Sequence, residues 1–70
     1  MVNYNNLWKK LIDKNMKKTD LAKKAGISSA TLAKMSMNQT VSMNTLVKIC
    51  AALECDLSDI VTITSIEEKI

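Results

Sequence analysis

The chain has 70 residues, of which 47% are hydrophobic, and it contains one glycine, no proline and no histidine. A chain this short supports one core, because it buries only about 60% of the surface that its unfolded form exposes. The net charge is +3, and without histidine or a glycine-rich phosphate loop the ordinary catalytic pairs are missing, so we expect no enzyme activity, no cofactor and no metal site.

The lysines are concentrated in the first two thirds of the chain. Residues 1–48 carry nine lysines against two aspartates, a net charge of +7, whereas residues 49–70 carry one lysine against five acidic residues, a net charge of −4. This polarity favours a polyanionic partner, although a solvated lysine-rich face gives the same pattern. No apolar run approaches the roughly 18 residues of a membrane span, and the N-terminus lacks a signal-peptide core. We therefore expect a cytoplasmic protein that does not contact membranes.

The first predicted element is a helix that is capped by Asn3 or Asn5 and runs to about residue 14. Leu7 and Leu11 recur at helical spacing, and Trp8 widens the apolar stripe. Residues 1–3 are predicted to be loose. We interpret this helix as scaffold.

Residues 18–39 contain two short amphipathic runs separated by the single glycine, Gly26. Leu21 and Ala25 share one helical face of the first run, and Leu32 and Met35 share one face of the second. Glycine accepts a positive φ and so ends a helix within one residue. Two helices joined by such a short turn form the DNA-binding helix-turn-helix arrangement. A helical hairpin of a small bundle is the alternative interpretation.

The segments LAKKAGISSATLAKM and TLVKICAALECDLSDI resemble the Cro/cI-type helix-turn-helix regulators, also called the xenobiotic response element family. The resemblance spans residues 7–60. It implies an all-α, five-helix lambda-repressor-like DNA-binding domain over residues 1–60, which usually works as a homodimer. It leaves residues 61–70 as a C-terminal extension.

The second helix of the motif, predicted at about residues 28–37 with Ser28 as its cap, is the candidate reader of DNA bases. With Leu32 and Met35 inward, its outward residues include Ala33, and the resemblance implies that the positions of Ser29, Ala30 and Lys34 face base edges. Lys34 can donate to guanine, and alanine can only contact a thymine methyl group. Because the chain has no arginine, we expect moderate specificity with a share of shape-based readout.

Polar residues flanking the two motif helices are the candidate phosphate contacts. Family members usually carry a hydroxyl residue where this chain has Lys17, so we expect a weaker cap on that helix and a gain of positive charge beside its N-terminus. Asn38, Gln39 and Thr40 lie in the loop after the reader helix, and it is an equally good interpretation that they are ordinary turn residues without a phosphate contact. The candidate phosphate contacts are Lys17, Lys18, Ser28, Asn38, Gln39 and Thr40.

Two further helices are predicted after this loop. Ser42 caps the fourth helix, and Asp56 caps a short fifth helix that extends to about residue 60. Cys50 and Cys55 are too few to hold zinc, which needs about four ligands. We interpret Cys50 as a small buried hydrophobe, and a disulfide with Cys55 as a minor alternative in a cytosolic chain.

Apolar and polar residues alternate over residues 61–64, and all four are β-branched, which predicts a short strand. A lone strand cannot satisfy its own hydrogen bonds, so this strand pairs with a partner chain or lies against its own bundle. We favour antiparallel pairing of this segment across a dimer axis, and packing of the two fifth helices is the alternative. The candidate dimerisation residues are Ile60, Val61, Ile63 and Ile66.

These observations together predict a DNA-binding transcriptional regulator that binds double-stranded DNA as a homodimer, and the family resemblance alone implies that it represses. One alternative is an antitoxin, in which the same fold also binds a toxin protein. Another is a helical protein-interaction module without DNA binding, which the plain side chains of the reader helix favour.

Overall fold

The computed structural model describes residues 1–64, so the predicted interface residue Ile66 lies outside the described part of the chain. The described residues form four α-helices and one small antiparallel sheet. In chain order these elements are β1 (Val2–Asn3), α1 (Asn5–Asp13), α2 (Lys18–Ala25), α3 (Ser29–Ser36), α4 (Met43–Leu53) and β2 (Thr62–Ile63), with a single 3-10 turn, Leu57–Asp59, before β2.

The predicted fifth α-helix is wrong, because the chain makes only the 3-10 turn there. Asp56 accepts a hydrogen bond from the Leu57 N–H at 2.8 Å, and Asp59 accepts one from the Asp56 N–H at 2.9 Å. These two carboxylates satisfy the backbone donors of one turn. The β-branched residues that follow prefer an extended backbone, so the turn does not continue as a helix.

The prediction that residues 1–3 are loose is also wrong. Val2 pairs with Ile63 and Asn3 with Thr62 in an antiparallel ladder, and the Thr64 N–H donates to the Met1 carbonyl at 2.8 Å. The predicted C-terminal strand therefore exists, and within the described residues its partner is the N-terminus of the same chain. A two-residue strand is too short to show any alternation, so its own sequence does not reveal it.

The core lies among the four helices and contains only apolar and aromatic side chains. Tyr4 is buried, which raises the pKa of its hydroxyl, and that hydroxyl donates to the Gln39 carbonyl at 2.7 Å. Ile60 is fully buried and belongs to this core. The other buried side chains are Leu7, Leu11, Leu21, Ala25, Leu32, Met35, Leu46, Ile49 and Leu53.

The predicted caps of α3 and α4 are confirmed. The hydroxyl of Ser28 accepts from the Thr31 N–H at 3.1 Å, and that of Ser42 accepts from the Thr45 N–H at 3.2 Å. α1 starts after Tyr4 without a cap from that residue, but Asn3 accepts from the Asn5 N–H at 3.1 Å. These side-chain bonds satisfy donors that a helix start leaves unpaired.

None of the helices between residues 1 and 64 is long and apolar enough to span a bilayer. The longest, α4, has 11 residues, about half of the roughly 20 that a spanning helix needs.

Gly26 ends α2 in the left-handed conformation, with φ at 71° and ψ at 39°. A Cβ placed on Gly26 would meet no atom within 4 Å, so the cost of a substitution there comes from the backbone alone. We expect Gly26→Val to destabilise the domain by about 1–2 kcal/mol, because a β-branched residue resists positive φ. Gly26→Asn should cost less, since asparagine tolerates this region and already adopts it at Asn38, with φ at 58°.

Thermal melts of the two variants would measure this difference. A loss of 1 kcal/mol lowers the midpoint by roughly 4–8 °C in a domain of this size. Equal midpoints for Gly26→Val and Gly26→Asn would contradict the conformational explanation.

Candidate nucleic-acid interface

The helix-turn-helix unit consists of α2, the turn at Gly26 and α3. The N–H groups of Gly26 and Ile27 both donate to the Ala22 carbonyl, at 2.9 and 3.0 Å, and so close the end of α2. Ser28 then caps α3. α2 packs against both α3 and α4, which fixes the direction of α3 relative to the rest of the domain.

The outer face of α3 carries four exposed residues, Ser29, Ala30, Ala33 and Lys34, opposite the buried Leu32 and Met35. Three of the exposed side chains are small. The backbone of α3 can therefore approach a groove surface closely, with Lys34 as the long donor on this face. The four candidate base contacts share one surface.

The cap of α3 limits what Ser28 can do for a phosphate. Its hydroxyl accepts from the Thr31 N–H at 3.1 Å and donates to the Thr31 hydroxyl at 3.0 Å. The single hydroxyl proton is already used. A phosphate contact at this position would have to come from the first N–H groups of α3, which a helix start leaves free.

The side chain of Lys18 is held in place by two residues from outside α2. Its Nζ lies 4.2 Å from the centroid of the Trp8 ring on α1 and 3.0 Å from the Ser36 hydroxyl at the end of α3. Cation–π contacts of this kind contribute roughly 0.5–1 kcal/mol at exposed sites. An ammonium has three donors, so Lys18 can keep both contacts and still donate to an anion.

Trp8 and Ser36 are functional candidates that the sequence reasoning missed. Trp8 lies in the helical stripe of α1 and is half-buried, which is why its spacing indicated only a core residue. Nothing in the order of residues shows that its ring also contacts a lysine ten positions later.

A carboxylate of the chain itself, that of Asp20, already lies at the start of α2. Asp20 accepts from the Lys17 N–H at 2.9 Å, and its charge favours a helix N-terminus. This carboxylate satisfies the Lys17 N–H, which is one half of a capping box, but Lys17 makes no side-chain cap bond to the first turn. Because the Asp20 carboxylate also competes with a phosphate for the N-terminus of α2, Lys17 and Lys18 are better placed to bind phosphate through their ammonium groups than through the backbone.

The loop after α3 exposes Asn38, Gln39 and Thr40. The N–H groups of Asn38 and Gln39 donate to the carbonyls of Met35 and Lys34, at 3.0 and 2.9 Å. Any phosphate contact from Asn38 or Gln39 would therefore use the side-chain amide. Asn38 adopts the left-handed conformation, with φ at 58°.

Comparison with known proteins agrees with this geometry. The family model of the Cro/C1-type HTH DNA-binding domain matches residues 6–65. The crystal structure of the transcriptional regulator VanUg, form II, is similar over 87% of this chain and 81% of its own, with a TM-score of 0.84 and 48% sequence identity. No curated protein matches the chain.

Proposed function

Because the chain belongs to the Cro/C1-type helix-turn-helix DNA-binding family, we propose that it is a transcriptional regulator that binds one double-stranded DNA sequence as a homodimer. We propose further that it acts in the cytoplasm, has no chemistry of its own and represses by occupying a promoter. The observation that carries the proposal is the outer face of α3, where Ser29, Ala30, Ala33 and Lys34 are all exposed.

In this proposal α3 enters the major groove, which accommodates an α-helix. Lys34 donates to O6 or N7 of a guanine, and Ser29 pairs with a neighbouring base edge. Ala30 and Ala33 contact thymine methyl groups. Three small side chains read few features each, so DNA shape supplies part of the specificity.

Phosphate contacts would position α3 in the groove. Lys17 and Lys18 lie at the start of α2, and the contacts to Trp8 and Ser36 hold the Lys18 ammonium before DNA arrives. A side chain that is already ordered loses less conformational entropy on binding. Asn38, Gln39 and Thr40, in the loop between α3 and α4, add hydrogen-bond donors at the C-terminal end of α3.

Salt dependence tests DNA binding directly. If Lys17 and Lys18 of each subunit contact phosphates, four contacts per dimer give a slope of roughly −4 in log affinity against log salt. Raising salt from about 50 mM to about 200 mM should then weaken binding on the order of 10²-fold. Fluorescence anisotropy with a duplex selected from a random pool would measure the slope. A protein-interaction module would show no duplex binding at any of these salt concentrations.

The proposed dimer surface is the outer edge of β2. In an antiparallel pair, alternate residues direct their N–H and C=O groups to opposite edges. The bond from the Thr64 N–H to the Met1 carbonyl places Thr64 on the inner edge, so the backbone groups of Ile63 point to the outer edge. No other strand of residues 1–64 covers that edge. Ile63 is also 57% exposed, whereas Ile60 is fully buried in its own core.

We expect Ile63→Lys to convert a dimer into a monomer, because a charge would be buried where β2 meets its copy. The fold should be retained, since the side chain is exposed in the single chain. Sedimentation at several concentrations would measure the change. Ile12→Lys is the matched control, because Ile12 is 74% exposed on α1 and lies outside the proposed surface. A dimer that survives Ile63→Lys would place the interface elsewhere.

A further inference from the structure

The end of α4 forms a Schellman motif. Glu54 adopts the left-handed conformation, with φ at 55° and ψ at 53°. The Cys55 N–H donates to the Cys50 carbonyl at 3.1 Å, and inside it the Glu54 N–H donates to the Ala51 carbonyl at 3.4 Å. These are the outer and inner hydrogen bonds of the motif, and an apolar contact often joins the two residues of the outer bond.

In this chain both residues of the outer bond are cysteines. Cys50 and Cys55 are free thiols, each partly exposed, and they are carried by the two residues that the outer backbone hydrogen bond joins. Both line the same shallow groove between α4 and the 3-10 turn. In most Schellman motifs the contact between these two residues only stabilises the helix end. Here it brings two thiols together at the surface.

We propose that Cys50 and Cys55 form a dithiol site that closes reversibly to an intramolecular disulfide by exchange with a low-molecular-weight disulfide such as oxidised glutathione. One protein thiolate attacks a sulfur of the small disulfide, which forms a mixed disulfide and releases one glutathione. The second cysteine then attacks the protein sulfur of the mixed disulfide and releases the second glutathione. Two protein thiols are oxidised and one small disulfide is reduced to two thiols.

The backbone geometry favours this closure. A disulfide requires Cα atoms about 4.4–6.8 Å apart, and the direct hydrogen bond between the two residues holds their backbones side by side. No third metal-ligating side chain joins them among residues 1–64, which makes disulfide exchange a better match for the pair than tetrahedral zinc binding.

The surroundings of Cys50 slow the closure. Burial raises the pKa of the Cys50 thiol, and Cys55, Asp56 and Asp59 add to the shift. Since the thiolate is the reactive species, the closure should be slow near neutral pH. For this reason the equilibrium is a better test than the rate.

The test is the equilibrium between the full-length chain and mixtures of reduced and oxidised glutathione, in native buffer and in concentrated urea. Acid quenching, alkylation and mass spectrometry would count the free thiols. The ratio of disulfide to dithiol at a given glutathione composition gives the effective concentration of the two thiols. If the folded geometry favours the disulfide, this effective concentration should be at least about tenfold higher in native buffer than in urea. The oxidised chain should also melt at a higher temperature, because the bond that folding favours must in turn stabilise the fold.

Cys50→Ser and Cys55→Ser are the matched controls, and each should give only a mixed disulfide with glutathione. A native-to-urea ratio below about tenfold, a disulfide between two chains, or an unchanged melting temperature after oxidation would overturn the proposal.

Discussion

Truncation of the chain after Asp59 is expected to unfold the domain. The cut removes Ile60, which is fully buried, and removing a buried isoleucine side chain costs about 2–5 kcal/mol. It also removes β2 and leaves β1 without its partner. Small domains are stable by only about 5 kcal/mol or little more. The two losses together should therefore leave the truncated chain mostly unfolded at room temperature.

Circular dichroism during heating would measure this effect. The matched control is a cut after Thr64, which keeps Ile60 in the core and the bond between Thr64 and Met1, and which should melt close to the intact chain. The two truncated chains together also distinguish a loss of folding from a loss of dimerisation. Weak DNA binding after the first cut reports loss of the fold, whereas loss of dimerisation after the second would point to residues 65–70. A cooperative melt near the intact midpoint after the first cut would contradict the role given to Ile60.

Lys34→Ala is expected to reduce the discrimination between the selected operator and random DNA. A good base contact contributes about 1–3 kcal/mol of discrimination, or roughly 5- to 150-fold in affinity. Lys34 is exposed on the outer face of α3, so its loss should not disturb the core. Binding of the variant to operator and to random duplex, measured at one salt concentration, would give the ratio.

Lys18→Ala provides the contrast, because its proposed contact is a phosphate and phosphates are present in every sequence. It should weaken binding to both duplexes by the same factor and reduce the salt slope by about one unit per subunit. Thermal melts of both variants would show that the domain remains folded. If Lys34→Ala weakens both duplexes equally, Lys34 positions the protein and does not read a base.

The helix-turn-helix unit could be predicted from the sequence because its signals are local. Gly26 ends α2, Ser28 and Ser42 cap the next two helices, and the apolar residues repeat at helical spacing. Each of these features acts over three or four residues. Such features favour the same local conformation that the packed domain adopts, so they can be recognised in the sequence even though packing stabilises the helices.

The parts that were missed depend on residues far apart in the sequence. β1 exists only because Thr62 and Ile63 lie beside it, and its two residues carry no pattern of their own. The predicted fifth helix is limited to one 3-10 turn, because the residues that follow it extend into β2 and pair with β1. The contact between Lys18 and Trp8 joins two helices, so it requires the packing of the helices to be known.

The pairing of β1 with β2 also affects the order in which the chain can fold. Each of the four helices can begin to form from neighbouring residues, but Val2 must wait for Ile63, which is made by the ribosome much later. Contacts between distant residues close long loops and form late. During synthesis we therefore expect the N-terminal residues to emerge first and to pair only when Thr62 and Ile63 are available. Until then, the start of α1 lacks the sheet that anchors it, and the two residues before Tyr4 have no strand to pair with.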